Sequence, residues 1–94
     1  MRDYNEYNEQ LTLDGFQEYL TNTYKGHYNS ESKGGQVIDS IIDAGHGEGF
    51  CVGNIIKYAS RYGKKNGKNV DDLYKVIHYA LLLNHIRDRE TDDR

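Results

Sequence analysis

Three polar side chains at one helical spacing carry the first chemical signal in this 94-residue sequence. Asn54, Lys57 and Arg61 follow at i, i+3 and i+7, which places them on one helix face, opposite the Ile55/Ala59 side. Lys64 and Lys65 extend that positive edge into a turn. Lysine supplies a mobile ammonium and arginine a planar fork of donors, a pair suited to phosphate oxygens. Tyr58 and Tyr62 lie a turn apart and border the same face. Tyrosine beside such cations suits a nucleotide, with the base stacked and the phosphate clamped. The same residues also fit a solvated helix end with one core tyrosine, so spacing alone leaves both readings open.

Other candidates are weaker. His27 and Tyr28 pair an imidazole with an aromatic ring in a loop, and His27 could serve as general acid or base. A metal site would need ligands converging from His27, Asp39, Asp43 or His46, without any HExxH, paired CxxC or EF-hand spacing to support it. His78 and His85 read as interface or core residues. No GxxxxGK[ST] loop is present, which excludes P-loop phosphoryl transfer, and GHGEGF follows no clear strand. Cys51 has no base beside it and reads as a small hydrophobic residue near a helix start.

Composition bounds the answer. Apolar residues are 36% and charged residues 29% of the chain, which suits one thinly cored domain and makes self-association a route to stability. No run approaches the ~20 apolar residues that span a bilayer. The N-terminus MRDYNEYNEQ carries no hydrophobic signal region, and a single cysteine fits a reducing compartment, so a cytoplasmic location is expected. Net charge is −3, which argues against a nucleic-acid-coating protein. Yet residues 51–75 hold six of the twelve lysines and arginines against only Asp71 and Asp72. Cations concentrated in an otherwise acidic chain imply an anionic partner for that region. Nine tyrosines supply aromatic faces that can stack or fill a core.

Periodicity then supplies the elements. Residues 1–10 read as a flexible arm. Leu13, Phe16, Tyr19, Leu20 and Tyr24 follow helical spacing after Thr12, in a helix that Gly15 should keep short. KGHYNSESKGG is a loop. QVIDSIIDAG reads as a helix with Val37, Ile38, Ile41 and Ile42 inward, closed by Gly45, although its β-branched residues also suit a strand. After a loop at 46–49, a helix over 50–62 would bury Val52, Ile55, Ile56 and Ala59 and end at Gly63. Asn69 caps a longer helix from Val70, broad enough in apolar width to meet another subunit. A charged tail follows Ile86. The expected fold is all-α, a compact oligomeric bundle of about four short helices, with one domain over 11–87 and a tail over 88–94.

The order of these residues resembles a small bacteriophage domain family of unknown function, typified by the nucleotide kinase of phage T-seven. The shared pattern is His-Tyr, an aliphatic-Asp helix, GNxxKYxxRxGKK, then DLxK and a tyrosine. Here it is carried by His27-Tyr28, Val37-Ile38-Asp39, Gly53-Asn54, Lys57-Tyr58, Arg61, Gly63-Lys64-Lys65, Asp72-Leu73, Lys75 and Tyr79. It spans roughly residues 26–86. Ile55 departs from the family's usual small residue, and His78 stands where a tryptophan is common. The resemblance implies a phage origin, a helical homo-oligomer and a link to nucleotides. In that frame Lys57, Arg61 and Lys64 or Lys65 hold phosphate, with Asn54 and Lys75 supporting, and Tyr58 or Tyr28 contacts base or sugar. Asp72 is a helix-start carboxylate or a partner for Lys75 or Arg61. A kinase would use ATP and Mg. A binding protein would need no cofactor and would sequester a nucleotide, such as a cyclic immune signal. An inhibitor would dock its basic face on a host protein.

Overall fold

Helix ends in this chain are set by short-range hydrogen bonds that hydrophobic periodicity does not reveal. The computed structural model describes residues 5–25 and 33–92, with side chains over 5–25 and 37–90. Among the described residues there are four α-helices, α1 (Glu9–Thr23), α2 (Lys33–Asp43), α3 (Gly47–Arg61) and α4 (Val70–Asp92), preceded by a 3-10 turn at Asn5–Tyr7. Among the described residues there is no strand, so the helical alternative for 36–45 is the one realised. No helix is long and apolar enough to cross a membrane, again among the described residues.

The first helix begins at Glu9, so the boundary expected at residue 10 falls inside it, and its fifteen residues are not short. Asn8 enters in the left-handed conformation (φ 61°), which asparagine tolerates better than most residues. The Asn5 side chain accepts from the Gln10 N–H at 2.9 Å, and Glu9 accepts from the Tyr7 N–H at 2.8 Å. The first supplies a partner for an N–H of the opening α1 turn, as side-chain caps do, and the second braces the 3-10 turn at Asn5–Tyr7 that leads into it.

The turn between α2 and α3 is tighter than the loop expected at 46–49. The Gly45 N–H bonds to the Ile42 carbonyl and the His46 N–H to the Ile41 carbonyl, both at 3.0 Å, with Gly45 at φ +88°. That is a Schellman closure, and it delivers the chain directly into α3 at Gly47. Asn69 caps α4 as expected, accepting from the Asp71 N–H at 2.8 Å. The charged residues after Ile86 continue the helix to Asp92, braced by contacts such as Asn84 to Asp88 at 3.4 Å and Arg87 to Asn84 at 3.1 Å.

The most extensive contact is α3 against α4, and α1 lies against another flank of α4. Phe16, Cys51 and Ile86 are the buried apolar residues among those described. Burial pushes the Cys51 thiol pKa up, as befits a packing residue. The expected core stripe of α3 holds only at Ile55, which is half-buried: Val52 is 39% and Ile56 60% exposed, and Ala59 also faces out. The helix instead turns Gly47, Cys51, Asn54, Tyr58 and Arg61 inward. Rings have more area to bury than valine, and Phe50 and Tyr58 both pack on Tyr79 of α4. Val37, expected inward on α2, is 55% exposed, whereas Ile38, Ile41 and Ile42 are half-buried.

Two glycines of α3 should therefore respond oppositely to alanine. A Cβ at Gly47 would lie 2.9 Å from Ile86 Cδ1 and 3.1 Å from Ile42 Cγ1, whereas one at Gly53 meets nothing within 4 Å. Gly47→Ala is expected to lose about 1 kcal/mol or more through overpacking. Gly53→Ala should gain about 0.5–1 kcal/mol from helix propensity. Urea midpoints of the two variants check both signs.

Candidate functional site

The inward rotation of α3 brings its basic end against α4 and gathers three cations around one ring. Lys57 Nζ is 5.1 Å, Arg61 Cζ 5.6 Å and Lys75 Nζ 5.8 Å from the Tyr58 ring centroid. Each distance falls within cation–π range. Tyr58 stacks on Tyr79, with the planes 8° apart and centroids 6.1 Å apart. Lys75 also reaches α1, donating to the Tyr19 hydroxyl at 3.3 Å and sitting 5.5 Å from that ring's centroid. Lys75 thus joins the basic edge of α3 to the aromatic face of α1.

Arg61 is only partly available to a ligand. Its Nε lies 3.6 Å from Oδ1 of Asp72, a residue 3% exposed in the first turn of α4. Of the roles open to Asp72, both are taken: helix-start carboxylate and partner of Arg61. The separation exceeds hydrogen-bond length, and Arg61 Nε and Asp72 Oδ2 are both buried without hydrogen-bond partners. One carboxylate against three cations leaves the cluster positive.

Beside Lys75 a cleft of about 750 Å³ opens between α1 and α4. Glu18, Tyr19 and Asn22 line it from α1, and Asp71, Tyr74, Lys75, His78 and Tyr79 from α4. Tyr19 and Tyr74 pack 5.2 Å apart, centroid to centroid, and Phe16 closes beneath them. Gly15 leaves room for the Tyr74 side chain against α1, since a Cβ there would lie 2.5 Å from the Tyr74 hydroxyl. Burial, with Lys75 one turn away, pushes the His78 pKa below its ordinary value. The cleft therefore offers aromatic faces, carboxylate and amide groups for hydrogen bonding, and a cation at its edge.

The expected site residues are redistributed by this geometry. Lys57, Tyr58, Arg61 and Lys75 come together. Asn54 turns back on its own helix, donating from Nδ2 to the Phe50 carbonyl at 2.8 Å. Lys64 and Lys65 are exposed in the turn after α3. His27 and Tyr28 lie outside the described residues. Sequence reasoning missed the cleft walls; His78, read there as core or interface, is buried and also lines the cleft. A signal existed on α4, where Asp71, Lys75, His78 and Tyr79 follow at i, i+4, i+7 and i+8.

Residues 22–81 match the family described as a protein of unknown function (DUF3310). The chain belongs to that phage-associated family. No curated protein and no solved structure matches it. The matched span of this DUF3310 chain holds the cation cluster and the α4 wall of the cleft up to Tyr79, with Leu82 just beyond it. Gly15, Glu18 and Tyr19, on the α1 wall, precede it. Among the described residues no group of three His, Cys, Asp or Glu side chains is placed to hold a metal.

Proposed function

We propose that this protein binds a nucleotide across the Tyr58 cation cluster and the adjoining α1/α4 cleft. Lys57 and Lys75 hold phosphate beside the Tyr58 ring, and Arg61 adds charge while anchored by Asp72. The base enters among Tyr19, Tyr74 and Tyr79, where Glu18, Asn22 and Asp71 offer hydrogen-bonding groups. The observation that carries this reading is the convergence of three cations from two helices on one tyrosine ring. That cluster borders a cleft whose volume is in the range of small-molecule sites. Lys64 and Lys65 extend the positive field that steers an anion toward it.

Holding a nucleotide is the part of the reading that this geometry supports. The resemblance to a nucleotide kinase adds phosphoryl transfer as its catalytic form, with ATP and Mg as co-reactants; sequestration of an intact linear or cyclic nucleotide is the non-catalytic form. Self-association fits the thin core and the exposed apolar side chains, Ile56 among them.

The test is a melting-temperature screen against mono-, di-, tri- and cyclic nucleotides. A ligand at 100 times its Kd stabilises by about 2.7 kcal/mol, which is roughly 10 °C or more for a domain of this size. No rise with any nucleotide at millimolar concentration would overturn the proposal. ADP formation from ATP only when a deoxynucleoside monophosphate is added distinguishes a kinase from a holder that returns its nucleotide intact.

A further inference from the structure

The cleft contains a titratable group that the cation cluster leaves unused. His78 lies on α4 one turn beyond Lys75, and both line the α1/α4 cleft. They flank the same tyrosine: Lys75 Nζ is 5.5 Å from the Tyr19 ring centroid, and the His78 ring meets Tyr19 edge-on at 6.4 Å. His78 is 7% exposed and also partitions two cavities. On its other side lies a groove of about 480 Å³ between α1, α2 and α4. We propose that His78 is an anion-binding group of the cleft, which takes up a proton as a ligand's negative charge arrives beside Lys75. The inference rests on the nucleotide reading of the cleft and adds that binding is proton-coupled.

The charges around the ring set the direction. Tyr19 of α1 and Tyr24 at its C-terminal cap pack against His78, and Glu18 lines the cleft it faces. From α2, Asp39 lines the groove. On α4 itself, Lys75 and Asp71 share the cleft, and His85 and Arg89 share the groove. With these carboxylates in place the pKa is still lowered, first by burial and then by Lys75. An anion beside Lys75 cancels the second cause, so the pKa rises on binding. Linkage then requires affinity to increase as pH falls from the raised value to the lower one, and to level off below both. The imidazolium so formed is a donor at both nitrogens and bonds the anion with charge assistance.

The experiment uses the full chain and the 2′-deoxynucleoside 5′-monophosphate giving the largest melting shift. Imidazole C–H resonances, assigned with His78→Gln, are followed by NMR from pH 4.5 to 8.5 with and without the nucleotide. Expected is a His78 midpoint below the ordinary histidine value in the free protein, moving up on binding. Calorimetry in two buffers of different ionisation enthalpy should show more proton uptake by wild type than by His78→Gln. Wild-type affinity should rise about threefold or more, relative to the variant, between pH 7.5 and 5.5. The free nucleotide's phosphate titration is common to both measurements and cancels in the ratio, so the difference reports the coupling between the ring and the bound anion. A nucleotide that binds while the His78 midpoint stays fixed overturns this proposal and leaves the nucleotide reading standing. If no nucleotide binds, both fall. If His78→Gln does not fold, the wild-type titration decides alone, with His78 assigned through its ring contacts to Tyr19 and Tyr24.

Discussion

Asp72→Ala is expected to lose about 2–4 kcal/mol of folding stability, the largest effect of any single truncation in the α3/α4 contact. The carboxylate is among the most buried polar groups described, and it faces a guanidinium whose side chain is only 28% exposed. Removing it leaves the partly buried Arg61, whose Nε is cut off from water, beside Lys57 and Lys75 with no countercharge. Native domains hold roughly 5–15 kcal/mol in total, and a core this thin sits toward the lower end. The loss should appear as a large drop in the urea midpoint. The pair itself is not an efficient stabiliser, because its geometry leaves Arg61 Nε and Asp72 Oδ2 without hydrogen bonds. An apolar double replacement, Arg61→Met with Asp72→Leu, should therefore recover much of the stability that Asp72→Ala loses. A double variant as unstable as the single one would show that Asp72 acts through its place in the α4 first turn instead. For the same reason Arg61→Glu is a poor probe of ligand binding, since it sets two carboxylates against each other and perturbs the fold.

Lys75→Gln is expected to weaken nucleotide binding tenfold or more in a protein that stays folded. Among the described residues Lys75 is the cation that approaches both the α3 ring and the α1 ring, so its ammonium stands where the phosphate-holding edge meets the cleft. A charge-assisted contact to phosphate is worth about 1.5–3 kcal/mol. Within the protein the substitution removes a long hydrogen bond to Tyr19 and two cation–π approaches at a half-exposed site, of order 0.5–1 kcal/mol each at most. Titration calorimetry at two salt concentrations checks the point: affinity falls, and its salt dependence becomes shallower. Unchanged affinity would remove the cluster from the site. The same variant should raise the His78 pKa, because one of the two causes holding it down is gone and only burial remains.

The glycines show how local and tertiary information divide. Gly45 and Gly63 are readable as helix stops, and both adopt positive φ where the chain leaves a helix. Gly47 resembles loop material, yet it opens α3 because a close approach to Ile42 and Ile86 leaves no room for a Cβ. Nothing in the spacing of HGEGF signals that contact.

Asn54, Lys57 and Arg61 divide in the same way. Helical spacing puts them on one face, and the protein keeps them on one helix. All-α class, four helices, the Asn69 cap and the concentration of cations after residue 51 were legible in the sequence, because each depends on neighbours within a turn or two. Which side of α3 meets α4 was not. Val52, Ile56 and Ala59 are more apolar than Asn54, Tyr58 and Arg61, and a periodicity argument buries the former. Tertiary structure reverses the choice because Tyr79 offers a ring for Phe50 and Tyr58, and Asp72 offers a carboxylate for Arg61. Both partners come from α4. The cleft likewise needs Tyr19 and Lys75, residues of separate helices whose contact is invisible to any local pattern. Sequence alone determined the helices and where their positive charge is concentrated; packing of α1 and α3 on α4 decided which of those charges surround a ring and border a cleft.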